Sequence, residues 1–241
     1  MRIPRIFSTT KLAANSSITL DEQAAHYLGK VLRMQAGRKL IVFDGQGGEY
    51  PATIESISKK SVIINTGAHN PVDNQSPLHT HLAIGVSRGE RWDIVLQKAT
   101  ELGVSEITPL FTERCEVRLS GERLEKKVGQ WQSILVSAAE QCQRNILPML
   151  NSPLSYSEFI SAEPTGLGLV LHHRSDCKIT DYTAPNSCTL LVGPEGGLSD
   201  DEIDQALTSG YRALTLGPRV LRTETAPLAA LSVAQTLWGD F

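Results

Sequence analysis

The stretch LLVGPEGGLSDDEIDQALTSGYRALTLGPRVLRTETA, residues 190–226, decides the fold because it repeats one arrangement: an apolar strand, a Gly/Pro loop and a helix start. In the first copy Leu190 to Gly193 reads as a buried strand and Gly193-Pro194-Glu195-Gly196-Gly197 as a loop. Ser199, with Glu202 three positions on, then reads as a capped helix start. In the second copy Leu214 to Gly217 is the strand, Pro218 to Thr223 the loop, and Thr223 or Thr225 the cap of a helix running to Trp238. Loops at the carboxyl ends of neighbouring parallel strands face one side of the sheet, which is where open α/β sheets hold ligands.

Upstream the same alternation continues. His81 to Val86 reads as a strand, followed by a capping box Ser87-x-x-Glu90 and a helix to Leu102 with Trp92, Val95, Leu96, Ala99 and Leu102 on one side. Strand Glu106 to Phe111 precedes a loop carrying Arg114 and Arg118. A long helix then runs from about Gly121 to Arg144 on the stripe Leu124, Val128, Trp131, Leu135, Ala138 and Cys142. A short helix capped by Ser155 and Glu158 leads into strand Gly168 to His172. Strands alternating with helices imply a parallel sheet covered on both faces.

The first 72 residues read differently. Arg2, Pro4 and Arg5 between Ile3, Ile6 and Phe7 suit an edge strand, and a helix from Asp21 to Met34 carries the stripe Ala24, Ala25, Leu28, Val31 and Leu32, with His26, Lys30 and Arg33 on its polar face. Strands follow at Lys39 to Phe43, Tyr50 to Ile57 and Ser61 to Asn65, joined by Gly-rich and Ser-Lys-Lys turns. The result is a compact β-rich module, a small barrel. The polar segment 66–80, with two prolines, marks the boundary, giving domains 1–72 and 73–241.

The charges divide along the same line. Residues 1–72 hold nine Lys/Arg against five Asp/Glu, a net of +4, while the remainder hold 14 against 21, a net of −7. A basic module on an acidic body suits a polyanionic partner, although ordinary charge scatter gives the same numbers in many single domains. Cys115, Cys142, Cys177 and Cys188 lie 27, 35 and 11 positions apart, so there is no Cys-x-x-Cys pair, and they read as buried thiols of a reducing cytosol. The N-terminus lacks the apolar core of a signal peptide, and no apolar run approaches the roughly 20 residues of a membrane span. A cytoplasmic protein without membrane attachment is the expectation.

The Gly193 to Gly197 loop lacks both the dinucleotide spacing and the Gly-Lys-Ser/Thr of a P-loop, which disfavours triphosphates. Pro194 fixes one angle and the glycines permit close backbone approach, which suits a flat heterocycle bound by N–H and C=O groups; a bare strand-to-helix turn uses glycine equally well. What favours a ligand is a third strand end, at Leu171-His172-His173-Arg174, opening on the same side. The adjacent histidines diverge and no third ligand follows at suitable spacing, so no metal is expected. The segment from Gly217 to Ala226 concentrates Arg219, Arg222, Glu224 and two threonines just ahead of a tightly packed helix, the rigid support that an active site needs. A mutual Arg222–Glu224 pair or a simple helix cap would use the same residues.

On these residues the sequence resembles the RsmE family of SPOUT methyltransferases. The resemblance spans the chain through MRIPRIF (1–7), VLRM (31–34), SRGE (87–90), QKATELGVSEITPLFTERC (97–115), AAEQCQRN (138–145), LVGPEGGLS (191–199) and LGPRVLRTETA (216–226). It implies an α/β protein: an N-terminal PUA-like β-barrel followed by a parallel-sheet SPOUT domain with a trefoil knot. It also implies a homodimer acting on ribosomal RNA or the small ribosomal subunit, and methyl transfer from S-adenosylmethionine to ring nitrogen 3 of a uridine in 16S ribosomal RNA. The cofactor-binding residues implied are Leu171, His172, Gly193, Glu195, Gly196, Gly197, Leu216, Gly217, Leu221, Thr223 and Thr225. The chemistry of such a transfer needs a stabilised uracil oxyanion and help with the ring proton, which makes the expected catalytic residues Arg222, against the developing oxyanion, and Glu224, which positions Arg222 or accepts the ring proton. Arg2, Arg5, Lys30, Arg33 and Arg88 are expected on RNA. The competing readings are a non-catalytic RNA-binding protein with a nucleotide cleft and an enzyme acting on a free nucleotide.

Overall fold

The computed structural model describes residues 3–241. The chain forms two compact units: one runs to Gln75 and takes in Ala139–Leu147, and the other comprises Ser76–Ala138 and Pro148–Phe241.

The first unit contains β1 (Arg5–Phe7), β2 (Ser17–Leu20), α1 (Glu22–His26), β3 (Lys39–Phe43), β4 (Tyr50–Ile57) and β5 (Val62–Thr66). Its strands form a five-stranded sheet in the order β1-β3-β4-β5-β2, antiparallel except for the β1–β3 pair. Alternate residues turn inward, Ala52 and Ile54 from β4 and Val62 and Ile64 from β5, to pack on Leu20, Ala24, Leu28, Leu40 and Val42. Each fully buried Leu, Ile or Val contributes about 1.5–3 kcal/mol of hydrophobic stabilisation.

Two features depart from the sequence reading. Strand β2 is an addition: SITL has one fully buried side chain, Leu20, so its periodicity is faint. The single helix expected from Asp21 to Met34 is instead α1 followed by a π-helical turn over Tyr27–Val31, in which Leu32 N donates to Tyr27 O at 2.9 Å. Arg33 then adopts a φ of 51° and ends the run. The wider turn rotates the last residues off the stripe, leaving Val31 56% and Leu32 38% exposed while Leu28 stays buried.

The second unit runs β6 (His79–Gly85), α2 (Glu90–Glu101), β7 (Glu106–Phe111), α3 (Gly121–Cys142, its last turn in the first unit), β8 (Met149–Leu150) and β9 (Leu154–Ser155). It continues with α4 (Tyr156–Ile160), β10 (Leu167–Leu171), β11 (Ser187–Val192), α5 (Asp200–Thr208), β12 (Arg212–Leu214) and α6 (Thr225–Trp238). The seven-stranded sheet has the order β12-β10-β11-β6-β7-β8, with β9 also on β7, and every pair is parallel. Both faces are covered. Leu82, Ile84, Leu169, Leu190 and Val192 join the core that holds Trp92, Trp131, Ala230 and Leu231, while the intervening Ala83, Val170 and Leu191 pack with Tyr156, Ile160, Ile203 and Tyr211. That two-sided burial is why these strands read as unbroken apolar runs.

Four local expectations meet a different arrangement. The strand predicted at Leu214–Gly217 lies at Arg212–Leu214, because pairing with β10 ends at Leu171↔Leu214 and Thr215 N turns to Cys177 O at 2.8 Å. The capping box Ser87-x-x-Glu90 does not form: Gly89 at φ 54° is the N-cap of α2, and the Ser87 hydroxyl lies 3.2 Å from that of Thr223. Neither Thr223 nor Thr225 caps α6; Glu224 occupies the N-cap position without a side-chain cap bond. Of the thiols, Cys115 and Cys188 are buried and Cys142 half-buried, but Cys177 is exposed in the loop after β10.

Candidate active site

The carboxyl ends of β12, β10 and β11, adjacent in the sheet, open into one cleft of about 270 Å³, close to the lower end of small-ligand pockets. Its walls come from all three strand-end loops and the start of α5, with Val192, Leu198, Leu214, Leu216 and Leu221 giving apolar surface and the glycine loop giving backbone.

The loop after β11 is braced on every side. A Cβ on Gly193 would stand 2.5 Å from Leu198 N, so only glycine permits this path. Gly85, at the end of β6, is under the same constraint from Pro194 Cδ, also at 2.5 Å. Gly197, at φ 68°, closes the turn by donating to Pro194 O at 2.8 Å. Arg114 Nη1 donates to Gly196 O at 3.3 Å and Leu198 O at 3.2 Å, holding two carbonyls from below. The Glu195 carboxylate accepts Arg88 N–H at 2.8 Å.

The turn into α5 is a reciprocal capping box: Ser199 Oγ accepts Glu202 N–H at 3.3 Å and Glu202 Oε2 accepts Ser199 N–H at 2.9 Å. Glu202 is 5% exposed, and its other oxygen accepts Glu113 N–H at 2.9 Å, so the buried carboxylate is satisfied twice. The hydroxyl of Tyr156 donates to Glu202 O, and burial raises its pKa well above the ordinary phenol value. Burial likewise raises the Cys115 thiol, which donates to Val86 O at 3.2 Å and is therefore a neutral packing group rather than a nucleophile.

The loop after β12 is open. Gly217 has φ 98° and Val220 is 79% exposed, and the anchors lie at its end, where Thr223 Oγ1 donates to Gly193 O at 3.4 Å and Arg222 O accepts Thr225 and Ala226 N–H at 2.9 Å. At the β10 end, His172 N donates to Leu214 O at 2.9 Å, and the His172 and His173 rings meet edge to face 6.2 Å apart. Among the described residues no group of three His, Cys, Asp or Glu could hold a metal ion.

The RNA methyltransferase domain family matches residues 74–235, and the RNA methyltransferase PUA domain family matches residues 20–66. Ribosomal RNA small subunit methyltransferase E of Buchnera aphidicola subsp. Acyrthosiphon pisum is 34% identical over 100% of this chain and 96% of its own length. The chain belongs to the ribosomal RNA small subunit methyltransferase E family. Two solved structures are similar over their full length. A Legionella pneumophila methyltransferase in complex with bound SAM is 42% identical with a TM-score of 0.97, covering 100% of both chains. Ribosomal RNA small subunit methyltransferase E of Neisseria gonorrhoeae bound to S-adenosyl methionine is 37% identical with a TM-score of 0.93, again over 100% of both.

Of the residues that the family resemblance implies, Leu171, His172, Gly193, Glu195, Gly196, Gly197, Leu216, Gly217, Leu221 and Thr223 line the cleft. Thr225, Arg222 and Glu224 lie beyond its lining, with Arg222 exposed and Glu224 half-buried. Lys30 is exposed on the π-helical turn and Arg33 just after it, and Arg88 is exposed, its guanidinium 2.9 Å from Glu116. Arg2 lies outside the described residues. Arg5 does not have the free guanidinium that a phosphate contact needs. Its side chain is 7% exposed, pairs with Glu49, donates to Asn145 and lies over the Phe43 ring. Two contributors escaped sequence reasoning: Arg114, the carbonyl clamp, and Arg91, whose Nη1 stands 3.6 Å from Glu195 and whose Nε stands 4.0 Å from Glu224. Their partners are more than 80 residues away, so no local pattern marks either.

Proposed function

We propose that this chain is an S-adenosylmethionine-dependent methyltransferase acting on ring nitrogen 3 of a uridine in small-subunit ribosomal RNA, working in the cytoplasm as a homodimer. In this reading residues 1–72 form a PUA-like RNA-binding domain and residues 73–241 a SPOUT domain whose C-terminal segment is threaded into a trefoil knot. No helix among the described residues is long and apolar enough to cross a membrane. The single observation that carries the reading is the convergence of three strand-end loops on one cleft, in a family whose Neisseria gonorrhoeae member is bound to S-adenosyl methionine.

The cleft fits that ligand by its own chemistry. Leucine and valine walls suit a flat heterocycle, and Gly193, Gly196 and Gly197 bring bare backbone to the lining. When bound, S-adenosylmethionine supplies an electrophilic methyl group. The chain's part is to hold donor and base in line, which contributes most of the rate when two reactants must meet. Arg222, its carbonyl held by the first N–H groups of α6, stabilises the negative charge that develops on uracil. Glu224 positions Arg222 or takes the ring proton. The exposed Lys30, Arg33 and Arg88 contact phosphates, and the uracil must leave its stack to present its edge.

Nucleoside mass mapping of ribosomal RNA from cells lacking this protein tests the reading. N3-methyluridine should disappear and return with the wild-type gene but not with Arg222→Ala. Unchanged modification in the deletion strain contradicts it. Methylation of free uridine would instead favour an enzyme of free nucleotides.

A further inference from the structure

The segment Ser87–Arg91 touches both pocket loops. From the first loop, Glu195 Oε1 accepts Arg88 N–H at 2.8 Å and lies 3.6 Å from Arg91 Nη1. From the last, Thr223 Oγ1 is 3.2 Å from Ser87 Oγ, and Glu224 Oε2 lies 4.0 Å from Arg91 Nε. The Glu224 Oε2 atom is buried and has no hydrogen-bond partner, and the Arg91 guanidinium stands against it as counter-charge. The bend that directs this segment at both loops is set by Gly89, whose φ of 54° and ψ of −131° favour glycine.

We infer that Arg91 is a positioning residue for methyl transfer: by presenting one guanidinium edge to Glu195 and another to Glu224, it fixes the spacing between the two glycine-bearing loops. The inference rests on the reading of the cleft as the S-adenosylmethionine site. Arginine suits the task because its donors leave a rigid plane in different directions, whereas lysine offers one point charge and serves only one carboxylate well. The Arg91 side chain is 46% exposed and stands 3.6 and 4.0 Å from the two carboxylates, so these long contacts add little to global stability and their removal acts on loop geometry more than on folding.

The test is a calorimetric and kinetic comparison of the full chain with Arg91→Ala, Arg91→Lys, Glu195→Gln and the Arg91→Ala/Glu195→Gln pair, using S-adenosylmethionine, with the melting temperature followed in parallel. Lys98→Ala, which breaks the Lys98–Glu101 pair on the same helix, is the control and should bind like wild type. Arg91→Ala should weaken donor affinity about tenfold and raise the donor KM more than it lowers kcat, while the melting temperature barely moves. Arg91→Lys should recover part of the loss. The double variant should lose less than the two single losses multiplied, as expected for groups that share one interaction. Arg91→Ala binding within about twofold of wild type, full rescue by lysine, or multiplicative losses in the double variant would overturn the inference. Failure of the wild type itself to bind the donor would instead overturn the reading of the cleft.

Discussion

The two glycine-bearing loops that face each other across the cleft are built to opposite specifications. The Gly193–Gly197 loop is held by a turn hydrogen bond, two contacts from Arg114 and a backbone N–H on Glu195, and its first two residues are buried. The Gly217–Thr223 loop is exposed from Gly217 to Val220 and is tied mainly at its far end through Thr223. One wall is preformed while the other has room to adjust around what enters, and preformed geometry is what lowers the cost of binding a rigid heterocycle. Substitutions in the first loop should therefore affect folding and binding together, and those in the second should separate them.

The largest effect should come from Gly193→Val. A Cβ 2.5 Å from Leu198 N forces the backbone apart, so we expect about 2–4 kcal/mol lost in denaturant unfolding together with loss of donor binding. Arg222→Ala, at the exposed end of the second loop, should slow methyl transfer about 10²-fold or more while stability stays within about 0.5 kcal/mol; equal losses in both would erase the contrast between the loops. Ser199→Ala breaks the capping box behind the first loop and should cost about 1 kcal/mol, seen as a lower melting temperature. Val220→Ala should leave stability within about 0.5 kcal/mol, since the side chain is 79% exposed, and any change should appear in the donor or RNA KM.

The thiols sharpen the same contrast. Cys177 is exposed in the loop after β10 and should be alkylated first, as read by peptide mass. Cys188, inside β11, is pushed up to about 12 by burial, so it remains protonated and should stay unmodified at mildly alkaline pH while the fold is intact.

How much of this was legible in the sequence follows from how local each signal is. The parallel sheet was readable from unbroken runs such as Leu169–Leu171 and Leu190–Val192, and the α5 start from Ser199 and Glu202 three positions apart. Ser87 and Glu90 show the same spacing, yet there a glycine cap and a partner 136 residues away, Thr223, won. Strand β12 ends earlier than the apolar Leu214 and Leu216 suggest, because only the ladder with β10 decides where pairing stops. Arg5 looked like a phosphate ligand because nothing nearby in sequence reveals its partners, Glu49 and Asn145. The π-helical turn was hidden because Val31 and Leu32 fit an α-helical stripe that a single wide turn breaks.

The most direct measurement of the central claim is a calorimetric titration of the full chain with S-adenosylmethionine, beside Leu216→Arg, which places a charge in the apolar wall of the cleft. We predict saturable binding to the wild type, no heat from ATP, and loss of donor binding in the variant with its melting temperature preserved. Absence of binding to the wild type, or undiminished binding to Leu216→Arg, would contradict the assignment of the cleft.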